Sequence, residues 1–275
     1  MSVEITNDHL IAGDDVNHVA CSKNVKLFSE PGLPDTIVIH FTAGSSAQSS
    51  ADFLARNDVQ ASAHIVIGRD ASVYQLVPFN IVAWHAGVSS YGNRNGINNY
   101  SIGIELDNAG GLTKSGNTYI SSFGKTYPEN ETVFATHRNE TEPKYWHAYT
   151  EEQLAKCRDI CIALISFYKI KLIVGHEEIA PGRKTDPGPA FPLDKLRNDL
   201  LLDIRKDAEA LPLYGKVTAS KLNIRVNPGP DELMSAQPLA QNTVVKILES
   251  RDGWYKVRTE TEGWVKSDFV QQINQ

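Results

Sequence analysis

The sequence predicts an α/β domain with helices packed on a sheet, followed by a small all-β domain. Three observations carry that expectation. At 275 residues the chain is long enough to bury one full-sized core and a second, smaller one. Up to Pro212, short apolar runs of strand type alternate with segments of helical spacing. From Tyr214 onward the helical spacing gives way to short β-rich runs separated by turns such as Asn227-Pro-Gly-Pro230 and Arg251-Asp-Gly253.

The elements follow in order. Residues 1–34 lack periodicity and hold Asn, Asp, Ser and Gly, so they read as an N-terminal arm packed on a domain spanning 35–210. A strand is expected over 36–41, a helix over 46–57, and a strand pair over 63–68 and 72–77 joined at Asp70-Ala71. In the strand over 101–106, Ile102, Ile104 and Leu106 share one face while Gly103 and Glu105 share the other. The segment 108–149, rich in Gly, Asn, Thr and Ser, reads as a long functional or mobile loop walling a cleft. Thr150-Glu-Glu-Gln153 has the pattern of a capping box. Leu154, Cys157, Cys161, Leu164, Ile165 and Tyr168 then recur at helical spacing, giving an amphipathic helix for the sheet. A short strand is expected at Lys171-Leu-Ile-Val174. Pro192 opens a last helix with Leu193, Leu196, Leu200, Leu201, Ile204 and Ala208 on one stripe, and Leu211-Pro212 marks the linker to a domain over 211–275.

The richest segment runs from Gly175 to Phe191. His176 stands at the end of the strand before it, where a side chain can project into a cleft. Pro181, Gly182, Pro187, Gly188 and Pro189 forbid a continuing helix and give a stiff loop able to return Asp186 to His176. His40, at the end of Thr36-Ile-Val-Ile39, completes a His/His/carboxylate set suited to one zinc ion per chain, with a fourth position open as a catalytic site requires. Lys184 sets a positive charge two residues before Asp186, and Glu105 is a carboxylate on the strand face opposite the core. In a zinc hydrolase the carboxylate passes the proton and the cation stabilises the oxyanion. Taken singly, each residue has an ordinary reading: a hydrogen-bonded strand-end histidine, a turn aspartate, a solvated lysine, a surface glutamate.

Several ordered segments together resemble the AmpD-like zinc N-acetylmuramoyl-L-alanine amidases, which share a fold with phage amidase lysozymes and the peptidoglycan recognition proteins. The matching pieces are Ile37-Val-Ile-His-Phe-Thr42, Ser62-Ala-His-Ile-Val-Ile-Gly-Arg-Asp70, Ala83-Trp-His-Ala-Gly87, Ser101-Ile-Gly-Ile-Glu-Leu106 and the loop from Gly175 to Phe191. The resemblance implies a mixed central β-sheet flanked by helices with a zinc cleft. It implies that His40, His176 and Asp186 bind zinc, that Glu105 accepts and donates the proton, and that Lys184 stabilises the oxyanion. His64, Trp84 and His85 flank the same cleft in the resemblance, where they contact substrate or support the ligands. Some relatives carry Cys at the position of Asp186 or Tyr at that of Ala63, so the chain looks like the Asp-ligand, Glu-catalysed branch. His9, His18, His137 and His147 fall in no motif and are assigned no chemistry. The C-terminal pieces Leu222-Asn-Ile-Arg225, Asp252-Gly-Trp-Tyr-Lys256 and Glu262-Gly-Trp-Val265 resemble a bacterial SH3-like barrel, which in its family commonly binds or targets the wall. Trp254, Tyr255 and Trp264 also suit the plainer task of filling a small barrel core.

Charge and hydropathy narrow the partners. A net charge of −6 argues against nucleic acid or an anionic membrane as the main partner. No run approaches the roughly 18 apolar residues of a membrane span. The first ten residues have neither a basic start nor an apolar signal core, so a cytoplasmic protein is expected, with the cell envelope as the alternative after trimming or lysis. Cys21, Cys157 and Cys161 are odd in number and read as reduced thiols. The function expected is hydrolysis of the amide between N-acetylmuramic acid and L-alanine in peptidoglycan or its muropeptide fragments. A non-catalytic wall receptor using the same cleft, or a zinc amidase for another acyl-peptide, is the competing reading.

Overall fold

The computed structural model describes residues 3–13, 15–201, 213–251, 253–259 and 262–273. The chain divides into two compact units, Met1–Leu193 and Asp194–Gln275. In the first unit come β1 (Val16–His18), β2 (Thr36–Phe41), α1 (Ala47–Ala55), β3 (Ile65–Ile67), β4 (Val73–Gln75), the small hairpin β5 (Ser90–Tyr91) and β6 (Arg94–Asn95), and β7 (Ser101–Leu106). Then follow β8 (Gly111–Ser115), β9 (Thr118–Ile120), β10 (Thr126–Tyr127), β11 (Thr132–Thr136), β12 (Pro143–His147), α2 (Glu151–Tyr168), β13 (Leu172–Gly175) and the one-turn α3 (His176–Ile179).

The central sheet has the order β1-β4-β3-β7-β2-β13 and is mixed, since only β3 and β4 run antiparallel. Its alternation separates two faces. Ile37, Ile39, Ile102 and Ile104 are fully buried on one of them. The other carries Val38, Val66 and Val174, which pack with residues of α1, α3 and the segment after β4. His40 and Glu105 lie on this second face as register partners on β2 and β7. The register also sets Gly175 beside Ile39, which brings the chain to His176 next to His40.

Local chemistry starts the helices where the sequence places them. Ser46 caps α1 by accepting the Ser49 amide, and Thr150 caps α2 by accepting the Gln153 amide. The arm before Pro34 does more than drape the domain, because β1 adds an edge strand beside β4. Lys23 anchors it further: its ammonium reaches the carbonyls of Leu54, Arg56, Val59 and Ala61 at 2.7–2.8 Å.

The segment 108–149 corrects the sequence reading. It forms a five-stranded antiparallel sheet, β10-β9-β8-β12-β11, in place of a long loop. Ala109, Leu112, Tyr119 and Tyr127 make its core, with Tyr145 packed against them. The strands are short and their outward faces carry Thr, Ser and Lys, so polar composition masked a period-two pattern.

Among the described residues, the second unit is all-β apart from α4 (Leu193–Leu201), which begins at the division, and a 3-10 turn at Ser267–Phe269. The strands β14 (Leu213–Val217), β15 (Lys221–Leu222), β16 (Leu239–Ala240), β17 (Val244–Arg251), β18 (Trp254–Arg258), β19 (Glu262–Lys266) and β20 (Val270–Ile273) build a five-stranded sheet, β19-β18-β17-β14-β20, and the small pair β15-β16. Tyr255 belongs to the core with Val217, Ile224, Val245, Val257 and Val265, and Trp264 is buried, so these two aromatics do fill the barrel. The expected helix residues Ile204 and Ala208 and the linker Leu211-Pro212 lie outside the described residues.

Candidate metal centre and cleft

His40 projects from the end of β2, His176 opens α3, and the loop after α3 returns Asp186 to both. His40 Nδ1, His176 Nδ1 and Asp186 Oδ2 lie 2.9 Å from one another in all three pairings. Their residues are buried, and they form a His/His/Asp group with the composition of a zinc site among the described residues.

The hydrogen bonds around this triangle fit a cation. His176 Nε2 lies 3.1 Å from the Ala86 carbonyl, an acceptor only, so that nitrogen carries the proton and Nδ1 presents a lone pair. Asp186 presents a second acceptor to it. Burial works to raise the Asp186 carboxyl, but the two imidazoles close against it outweigh that and hold the group below its ordinary range. Burial, reinforced by His176, pushes His40 down to about 4, so this imidazole is neutral at pH 7. Two imidazoles and one carboxylate converging on a point are the donor set a divalent zinc ion takes.

A relay fixes the orientation of His40. Its Nε2 lies 3.0 Å from His85 Nδ1, and His85 Nε2 faces the Ser101 hydroxyl at 3.2 Å. Gly103 makes room for this relay, because a Cβ there would stand 2.3 Å from the His85 ring.

Glu105 sits beside the triangle with its Oε2 buried and without a hydrogen-bond partner among the described residues. Burial, with the Asp186 charge adding to it, pushes the carboxyl up to about 8, and Lys184 acts in the opposite direction. The half-buried Lys184 also opposes protonation of His40, so its charge is felt at both groups. Glu105 further lines a cavity of about 320 Å³ with Thr42, Ala43, Gly44, Ser49 and Phe53. A raised carboxyl, a nearby cation and a ligand triangle beside an open cavity are the parts a hydrolytic site needs.

The structure brings His40, His176, Asp186, Glu105 and Lys184 together. It corrects the placement of His64, which is fully buried, with Nδ1 accepting the Gly103 amide at 2.9 Å and Nε2 donating to the Ile81 carbonyl at 2.9 Å. Both ring nitrogens are used by backbone, so His64 ties β3 to β7 and has none left for substrate. His85 is likewise buried and supports His40, whereas Trp84 is 41% exposed and free to meet a ligand. Tyr149, which the sequence reading passed over, donates its hydroxyl to the Pro187 carbonyl at 2.8 Å, next to Asp186. Burial raises that hydroxyl well above the usual tyrosine range, so it stays a donor. Arg183 is a second omission; its guanidinium bonds the Ala86 and Val88 carbonyls at 2.9 and 2.7 Å. A tyrosine after a strand and an arginine in a loop carry no local signal of such partners.

Comparison with known proteins follows the same division of the chain. Residues 30–189 match the family model described as N-acetylmuramoyl-L-alanine amidase, and residues 220–271 match the bacterial SH3 domain. The chain is 35% identical over 159 residues to the 1,6-anhydro-N-acetylmuramyl-L-alanine amidase AmpD of Escherichia coli (strain K12), covering 57% of this chain and 68% of that protein. It is 30% identical over 230 residues to the N-acetylmuramoyl-L-alanine amidase AmiD of the same organism, covering 78% and 72%. A crystal structure of an AmpD selenomethionine derivative is similar at a TM-score of 0.47 and 28% identity, covering 68% of this chain and 94% of that one.

Proposed function

Because this chain belongs to the N-acetylmuramoyl-L-alanine amidase family, we propose that it hydrolyses the amide between the lactyl group of N-acetylmuramic acid and the L-alanine of the stem peptide, with one zinc ion bound by His40, His176 and Asp186. The observation that carries the metal reading is the convergence of the three ligand atoms at 2.9 Å. When bound, zinc supplies an acidified water and a Lewis acid for the scissile carbonyl. The residues do the rest. Glu105 accepts the proton of the attacking water and returns it to the leaving amine nitrogen. Lys184 faces the oxygen on which negative charge develops and stabilises it. His85, through His40 Nε2, and the Ala86 carbonyl, through His176 Nε2, fix which nitrogen each ligand presents. Trp84, exposed beside His85, contacts the substrate.

The second unit, matching the bacterial SH3 domain, is assigned to holding the enzyme on polymeric wall. Three unpaired, buried cysteines favour a reducing compartment, and we take the cytoplasm as the place of folding. Among the described residues, no helix is long and apolar enough to cross a membrane. Incubating zinc-loaded protein with soluble muropeptide and, separately, with purified sacculi tests the whole reading. Chromatography is expected to show stem peptides beginning at L-alanine released from both. Unchanged input in both would leave a wall receptor, and release from soluble muropeptide alone would remove the role given to the second unit.

A further inference from the structure

Outside the ligand triangle, a set of interlocked polar side chains lies behind the metal loop, where the 108–149 sheet meets α3. Its centre is Glu177, 3% exposed and adjacent in sequence to His176. Glu177 Oε2 lies 2.6 Å from His137 Nε2 and accepts the Gly188 amide at 3.1 Å. Glu177 Oε1 lies 3.0 Å from Arg138 Nε. The Glu177 amide donates to the Asp186 carbonyl at 2.8 Å, and its carbonyl accepts the Asn139 side-chain amide at 3.0 Å. Arg138 also pairs with Glu178, whose Oε2 accepts the Gly175 amide at 2.9 Å.

The geometry has one consequence for the ligands. Two carboxylates hold the backbone amides of Gly175, just before His176, and of Gly188, two residues after Asp186, while the Glu177 backbone amide ties the residue after His176 to the Asp186 carbonyl. The cationic and donor side chains that hold those carboxylates come from His137 and Arg138, immediately after β11. His137 is 1% exposed, and its Nδ1 accepts the Asn139 amide at 3.2 Å, so Nε2 carries the proton and donates to Glu177. Trp146 on β12 closes the same contact from the side. Its ring stacks against His137 at 5.6 Å and lies against Gly188, where an added Cβ would be 3.0 Å from ring carbons.

We propose that His137 and Arg138 are positioning residues of the metal centre, acting through Glu177 and Glu178 to set the separation of His176 and Asp186. The 108–149 sheet is thereby the outer support of the ligand loop. This inference rests on the zinc reading above and adds to it residues that the ligand set does not include. Hydrogen-bond partners one shell out from a metal commonly change its affinity about 10- to 100-fold.

The test is zinc affinity of metal-free protein, measured by competition with a chromophoric chelator, together with the visible spectrum of the cobalt-substituted protein. Both are read for wild type, His137→Ala, His137→Gln, Arg138→Met and, as a control on the exposed side of β11, Phe134→Ala. His137→Ala and Arg138→Met are expected to bind zinc about 10- to 100-fold more weakly, with a changed cobalt spectrum. His137→Gln, which keeps an N–H for Glu177, is expected to recover most of the affinity, and Phe134→Ala to match wild type. Affinities and spectra equal to wild type in both His137→Ala and Arg138→Met would overturn the proposal, whatever happens to their melting temperatures. If His137→Ala does not fold, the partly exposed Arg138→Met decides the matter. A wild-type protein that takes up neither metal would overturn the zinc reading itself, a result distinct from variants that bind like wild type.

Discussion

A carboxyl that takes a proton from water and hands it to an amine works best when its pKa lies near the working pH, and burial lifts Glu105 to about 8. Glu105→Gln keeps the ligand triangle and removes the proton carrier. It is expected to retain zinc by elemental analysis and to lose turnover by about 10²- to 10⁴-fold. Lys184 opposes the rise at Glu105, since a positive charge favours the carboxylate. Removing it raises the Glu105 pKa further, so Lys184→Ala is expected to move the acidic limb of kcat/KM to higher pH as well as lower its maximum. An unmoved limb in a pH–rate profile would separate Lys184 from Glu105. These residues were legible in the sequence because each stands at a strand end or in a Pro/Gly-punctuated loop, which are local signals. His64 and His85 were left between substrate contact and support, because whether a histidine faces the cleft or bonds to a neighbouring strand depends on pairings between distant segments. The same gap hid Glu177: it lies beside a ligand in the loop from Gly175 to Phe191, and its partner His137 lies 40 positions away in the chain.

Among the elements, β7 joins the core to the chemistry. It holds Ile102, Ile104 and Leu106 on one face and delivers Glu105 from the other, with Gly103 leaving space for the His85 ring. Gly103→Ala would drive a methyl into that ring. It is expected to cost about 1–3 kcal/mol in chemical denaturation through overpacking, and to weaken zinc binding because His40 loses its partner. Wild-type stability and affinity in Gly103→Ala would show that the ring has room to move. Apart from β1, the strands of the central sheet were read from their apolar runs and appear inside or within one residue of the expected positions. The 108–149 sheet was not, since its strands of two to five residues are mostly polar on the outward side, with Phe134 exposed among them, and its core is built largely from tyrosines scattered through the segment. The contribution of β1 also escaped notice, because three residues paired at a sheet edge leave no periodicity to find.

At the scale of the molecule, burial of neutral histidines ties stability to pH. Burial pushes His64 down to about 4 and His147 to about 3, both from an ordinary value of 6.5. A folded value below the unfolded one means that the unfolded chain takes the proton first. Stability is therefore full above pH 6.5 and falls as the pH drops toward 4, by about 1.4 kcal/mol per pH unit for each such group. Chemical denaturation of metal-free protein between pH 7 and 4.5 is expected to show this loss, with a shallower slope in His64→Gln; a slope unchanged by that substitution would contradict the assignment. The change to an all-β region was legible from the short β-rich runs after Tyr214, though the compact units divide earlier, between Leu193 and Asp194. The His40, His176 and Asp186 cluster was proposed from strand-end histidines, a Pro/Gly-rich loop and the family resemblance. The most direct measurement is a zinc titration of chelator-stripped protein with muropeptide hydrolysis followed at each point. Amide cleavage is expected to rise in proportion to added zinc and to level off at one equivalent per chain, with no recovery in His176→Ala. Full hydrolysis by metal-free protein, or the absence of any tight site, would contradict a catalytic centre built on His40, His176 and Asp186.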